Sequence, residues 1–252
     1  MAPVAVSPRA AVSVAVRSLA SGECAVYGHG AFETASVVKV DILAALLLRA
    51  QDAGRRLTAR ERTDAAAMIE ESDNDAASAL WRTVGGADGL DAANRRLGLT
   101  DTCGGRDGLW GLTRTTAADR LALLTQVFGA AASSALGAAS RAYVQGLMGR
   151  VAAGQDWGVS AAADDSKWAL KNGWLPRSTT GLWVVNSMGR VTAGGDDCLV
   201  AVLSHGNTSK EAGVDLVERA ARAAVSVFGA GVQPTAVRDV TGKTERGSQG
   251  LG

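Results

Sequence analysis

Cysteine is scarce and shows no pairing pattern. Cys24, Cys103 and Cys198 are widely spaced and form no C-x-x-C. At most one bridge can form, so neither a disulfide framework nor a structural zinc site is expected. Histidine is scarcer still: His29 and His205 stand far apart and away from carboxylates, which argues against a Ser-His-Asp triad or a histidine metal site. An excess of one charge is also missing. Lys and Arg number 26 against 25 Asp and Glu, giving a formal net charge of +1, and no basic run exceeds Arg55-Arg56. A nucleic-acid partner is therefore not expected. No window approaches the ~18 consecutive apolar residues of a membrane span. Residues 1–17 alternate apolar residues with Ser, Pro and Arg and hold no apolar h-region before a cleavage site. No signal peptide is visible, which leaves a cytoplasmic chain and a mature secreted one as the two expectations.

What remains is 252 residues, 47% hydrophobic, enough for one sizeable core. Val12, Val14 and Val16 alternate with smaller neighbours, and Ser21-Gly22 separates them from Cys24-Ala25-Val26-Tyr27, predicting a hairpin. From Ser36 to Gln51 the chain is apolar on nearly every side, which predicts a buried helix. Thr58-Ala59-Arg60-Glu61 has the form of a capping box, Asp73 or Asn74 can cap the next helix, and Thr115 or Thr116 a later one. A further helix is predicted from about Ser134 to Val151. After Gly158 the pattern turns to strands, at Trp168–Asn172, Leu182–Asn186 and Cys198–Leu203, with Gly194-Gly195-Asp196-Asp197 as a hairpin turn. A last helix carries Val214, Val217, Ala221, Val225 and Phe228 on one stripe.

Strands at both ends around a helical insert predict an α+β architecture with a groove where the two meet. The expected organisation is a single domain over 1–233, with a sheet part (11–35 and 160–230) and a helical part (36–159). A monomer is expected. The Gly-rich polar stretch 234–252 is expected to be disordered.

Three short motifs carry the chemistry. Ser36-Val37-Val38-Lys39, Ser72-Asp73-Asn74 and Lys171-Asn172-Gly173 occur in the order S-x-x-K, S-D-N, K-T-G, with Asn172 at the Thr position. Ser36 falls at the first turn of the buried helix, where free N–H groups and the helix dipole favour a developing alkoxide. Lys39 lies one turn on, and desolvation in so apolar a helix makes it a neutral amine able to take the Ser36 proton. Ser72 can pass a proton to the leaving group, and the Asn74 amide can hold Lys39 and bind a substrate carbonyl. Lys171 would offer an ammonium to a substrate carboxylate, and Asn172 and Trp174 are expected beside it among the substrate-binding residues. Gly173 would let substrate approach the strand edge and pair with it. The N–H groups of Ser36 and Trp174 form the expected oxyanion hole. Trp110, Trp157, Trp168, Trp174 and Trp183 are expected as packing residues, with only Trp174 placed to line a groove. Arg177 is expected as a surface charge, the alternative being contact with a substrate carboxylate.

On these motifs, together with Trp110-Gly111-Leu112-Thr113 and Lys171-Asn172-Gly173-Trp174-Leu175-Pro176, the chain resembles the class A β-lactamase and D-alanyl-D-alanine peptidase superfamily. It is most similar to the short serine hydrolases common in actinobacteria. The resemblance covers roughly Val12 to Phe228. It implies a five-stranded antiparallel sheet flanked by helices, a helical subdomain, no cofactor, and a small-molecule or peptide substrate. Ser36 would be acylated by a β-lactam or an acyl-D-Ala type substrate, or by the ester or thioester of a biosynthetic enzyme that has borrowed the site. One departure is conspicuous: Gly104–Leu112 holds no Glu of the E-x-x-L-N loop motif that activates the hydrolytic water in class A lactamases. Asp107 is the only carboxylate in that loop. Slow deacylation is the expectation, with an acylated sensor as its extreme.

Overall fold

The structure, a computed structural model, describes residues 4–164 and 167–229. The expectation for 234–252 lies outside the described residues. In chain order the elements are β1 (Ala11–Ser18), β2 (Cys24–Tyr27), β3 (Phe32–Glu33), α1 (Lys39–Asp52), α2 (Ala59–Glu70), α3 (Asn74–Val84) and α4 (Gly86–Leu97). After these come β4 (Arg114–Thr115), α5 (Ala117–Phe128), α6 (Ala138–Met148), β5 (Trp168–Pro176), β6 (Trp183–Ala193), β7 (Asp196–Asn207) and α7 (Lys210–Gly229).

Five strands form one antiparallel sheet in the order β2-β1-β7-β6-β5, and β3 pairs with β4 in a small second sheet. The α+β architecture and five-stranded antiparallel sheet expected from the sequence are present. Strand alternation builds two cores from one sheet. In β7, Leu199, Ala201 and Leu203 face the helical layer, whereas Cys198, Val200 and Val202 face the layer formed with α7, where Val217 and Ala221 meet them. The turn between β6 and β7 is Gly194-Gly195, with φ of 62° and 82°. Both values suit a two-residue turn that only small or turn-forming residues enter readily, so Asp196 and Asp197 belong to the strand and not to the turn.

α1 runs through the centre of the helical layer. Eleven of its 14 residues are buried, which accounts for the absence of a polar face in its sequence. Thr58 and Glu61 close the predicted capping box, Asp73 caps α3 through a 2.7 Å bond from Ala76 N–H, and Thr116 caps α5. One local difference matters. Ala35–Val38 form a 3-10 turn that precedes α1, so Ser36 sits in that tighter turn and not in the first turn of the α-helix itself. The three cysteines are all free. Among the described residues no helix is long and apolar enough to cross a membrane.

Candidate active site

Two groups fix the backbone around Ser36. Ala35 has φ of 46°, a left-handed conformation that a residue with a Cβ adopts only under constraint. The constraint comes from β6: the buried Asn186 amide donates to the carbonyls of Glu33 (2.8 Å) and Thr34 (3.0 Å), while its oxygen accepts from Ser204 N–H. The 3-10 turn also abuts β5. A Cβ at Gly173 would lie 2.6 Å from Ser36 N and 2.8 Å from Val37 N. Gly173 is therefore required by the approach of the protein's own backbone, a different close approach from the substrate contact expected of it.

Lys39 is fully buried. Its Nζ donates to the carbonyl oxygen of Ser72 (2.6 Å), to Ser72 Oγ (3.0 Å) and to Asn74 Oδ1 (2.9 Å). None of these bonds reaches Ser36. Burial lowers the Lys39 pKa to about 8, against a smaller opposing pull from the Asp73 carboxylate. The Lys171 Nζ donates to the same Ser72 Oγ (3.0 Å) and to Asn172 O (3.0 Å). Lys171 is also fully buried, and desolvation followed by the neighbouring Lys39 charge holds its pKa well below the usual lysine range. Burial thus disfavours the ammonium expected at Lys171 for a substrate carboxylate. Ser72 itself has φ of 58°, another left-handed non-glycine residue at the centre of the cluster.

Along β5 the side chains alternate, and this corrects two expectations. Lys171 and Gly173 face Ser72 and Ser36; Asn172 and Trp174 face the other side of the sheet. Asn172 does not reach the groove. It is buried, and its amide donates to the carbonyls of Gln155 and Trp157 (both 2.8 Å), holding that loop against the strand. The Trp174 ring packs on Trp157 at 6.0 Å between centroids and lies under Lys210 Nζ at 4.1 Å. The ring therefore does not line the groove, and only the Trp174 backbone remains on the β5 edge.

Trp110 does reach the site. Its ring lies 5.0 Å from Lys39 Nζ and its Nε1 donates to Ser78 Oγ. Asp107, the only carboxylate of that loop, is exposed at a positive-φ turn. Sequence reasoning also missed Asn186 and the buried Arg120–Asp41 ion pair. Arg120 binds Asp41 of α1, Thr115 of β4 (2.8 Å) and Thr102 (3.1 Å), tying the loop that carries Trp110 to the helix that carries Lys39. The available signal was a polar residue inside an otherwise apolar run: Asn186 follows Val184-Val185, and Asp41 precedes Ile42-Leu43.

A family model described as the beta-lactamase enzyme family matches residues 51–228. Similar solved structures include a mutant of the last common ancestor of Gram-negative bacteria class A beta-lactamase. It is 22% identical, with a TM-score of 0.75, over 89% of this chain and 95% of that one. PBP-A is 21% identical, with a TM-score of 0.75, over 90% and 92%. A beta-lactamase from Chitinophaga pinensis is 20% identical, with a TM-score of 0.71, over 84% and 92%. A search of curated proteins found no match.

Proposed function

This chain belongs to the beta-lactamase enzyme family, and we propose that it works as a cofactor-free serine acyl hydrolase or acyl transferase with Ser36 as nucleophile. Its substrate class is an amide or ester with a nearby carboxylate, of β-lactam or acyl-D-Ala type. One observation carries the reading: Ser72 Oγ sits 3.0 Å from both Lys39 Nζ and Lys171 Nζ, and Lys39 directly follows the turn that holds Ser36. A PBP-A mutant solved as an acyl-enzyme with penicillin G supports a penicillin as the first probe.

The proposed acylation begins with proton transfer from Ser36. Neutral Lys39 takes the Ser36 proton as Oγ attacks the carbonyl carbon, and the N–H groups of Ser36 and Trp174 receive the oxyanion. With both lysine amines donating to Ser72 Oγ, the Ser72 proton is left to point outward, toward the leaving group. Transfer of that proton to the leaving nitrogen or oxygen is followed by return of the proton from Lys39 to Ser72. Lys171 stabilises the transient negative charge on Ser72, and an arriving substrate carboxylate favours protonation of Lys171.

Deacylation is proposed to be slow. Among the described residues no carboxylate hydrogen-bonds Lys39, the Asp73 charge acting on it only at a distance, and the Trp110 ring lies 5.0 Å from its amine. That observation favours a peptidase-like or once-acylated role over fast lactam turnover. The test is intact-protein mass against time after adding a penicillin, run beside Ser36→Ala. A lasting adduct on the unaltered protein alone supports the reading. An adduct on both proteins overturns Ser36 as nucleophile, and rapid loss of drug without an adduct overturns slow deacylation.

A further inference from the structure

We propose that the cleft at the end of β5 is a second recognition site, binding a carboxylate carried on the acyl portion of the substrate; this rests on the acyl-enzyme reading above. The cleft measures about 310 Å³. Leu182 and Val184 form an apolar floor, and Arg9, Arg114 and Arg177 stand around it with Glu33 as the one carboxylate of the lining. Glu33 pairs with Arg177 at 3.3 Å, and Arg114 donates to the carbonyl of Ala31 at 2.8 Å. Three arginines thus line the cleft with one carboxylate, in a chain whose overall charge is only +1. A local excess of Arg over an apolar floor suits an aliphatic or peptide arm ending in a carboxylate, which guanidinium can bind through two parallel hydrogen bonds.

The direction of β5 says which part of the substrate arrives there. Ser72 and Lys171, the proton donor and its neighbour, mark the leaving-group end. Gly173 and Trp174 lie level with Ser36. The acyl portion must then continue along Leu175 and Pro176 toward Arg177. The cleft is on the correct face: Asn186, which binds the Glu33 and Thr34 carbonyls, and Val184, which floors the cleft, are two apart on β6 and so point the same way. Two strand residues span about 7 Å, the separation along β6 between Asn186, which holds the Ser36 turn, and Val184, which lines the cleft.

The probes are two p-nitrophenyl esters of suberic acid, one with its far carboxylate free and one with it capped as a neutral methyl ester. Acylation forms the Ser36 Oγ–carbon bond, releases p-nitrophenolate and transfers the serine proton to Lys39, and intact mass gives both rates. The free acid should acylate about tenfold faster than the capped ester, as an added charge-assisted contact implies. Arg177→Gln should bring the ratio toward one. Arg9→Gln, at an exposed residue, should move it the same way, and Glu33→Gln should raise it.

Labelling of Ser36 at equal rates by both esters overturns the carboxylate site and leaves the acyl-enzyme reading standing. Labelling by neither overturns that reading for these esters. The cleft is then decided by calorimetric titration of suberate into Ser36→Ala. Binding that weakens in the added Arg177→Gln supports an anion site, and no binding overturns it.

Discussion

Lys39 and Lys171 place their side-chain nitrogens at the same distance, 3.0 Å, from a single atom, Ser72 Oγ, although Ser72 lies 33 residues from the first and 99 from the second. Two buried amines around one hydroxyl repel each other when both are charged, and neither can leave without uncovering a polar group. The hydroxyl is therefore the expected crossing point for the proton. Ser72→Ala should keep the fold yet slow acylation by about 10²-fold or more, the usual contribution of a positioned acid or base. Acylation at the unaltered rate, followed by mass, would remove Ser72 from the proton path.

Acylation should rise with pH and level off above about 8, because in the proposed mechanism Lys39 accepts the Ser36 proton only when neutral and burial brings its pKa down to about 8. The sign follows from the lowered value: below it the amine is already charged and cannot act as base. Lys39→Arg, always charged, should lose acylation at every pH while Ser36 stays in place. The check is the second-order acylation rate from pH 6 to 10. A flat profile would mean that another group takes the proton.

The motifs were legible because proton transfer requires residue types at short fixed spacing, and Ser36, Lys39, Ser72 and Asn74 all lie within such windows. The sheet and α1 were legible from alternation and from an uninterrupted apolar stretch. What escaped the reading depends on contacts across long separations. Asn186 reaches back to Glu33 and Thr34, and β3 and β4, two residues each, are too short to show a period. Trp110 sits in an aperiodic loop, so nothing local ties it to Lys39. Asn172 and Trp174 are a different case. The period of two along β5 already separates them from Lys171 and Gly173, and treating the motif as one contiguous site concealed it.

Trp110→Ala should move the midpoint of the pH profile upward from about 8 toward the ordinary lysine value. Desolvation is the larger cause of the lowered Lys39 pKa, and removing the ring admits water beside the amine. Each unit of upward shift costs about tenfold in the neutral fraction at pH 7. The same opening should shorten the lifetime of the acyl adduct. A downward shift would mean that the ring acts chiefly by supporting the charged amine.

Arg120→Ala should lower stability by about 3–5 kcal/mol, since it leaves Asp41 buried in α1 without its counter-charge. Asp41 Oδ1 already has no hydrogen-bond partner, and burial already pushes its carboxyl pKa up. Pairing Arg120→Met with Asp41→Leu should recover most of the loss, because two apolar side chains leave no stranded charge. Urea unfolding of the single and double variants measures both. A single variant as stable as the unaltered protein would show that the pair contributes little.

Gly173→Ala tests whether the contact between β5 and the Ser36 turn matters to chemistry as well as to folding. The added methyl would lie 2.6 Å from Ser36 N and 2.8 Å from Val37 N, with the Thr34 carbonyl at 3.0 Å. All three neighbours are backbone atoms, so no side chain can rotate aside, and the turn must move away from the strand. Overpacking of this kind costs about 1–3 kcal/mol. A displaced oxyanion donor typically costs about 10²–10³ in rate. Gly28→Ala is the control: its methyl would meet the Val12 carbonyl at 2.6 Å, at a φ of 75°, at the far end of the sheet from Ser36. Both variants should lose thermal stability. Acylation per folded molecule should fall only in Gly173→Ala, and an equal fall in both would mean that the rate follows stability and not the placement of the Ser36 N–H.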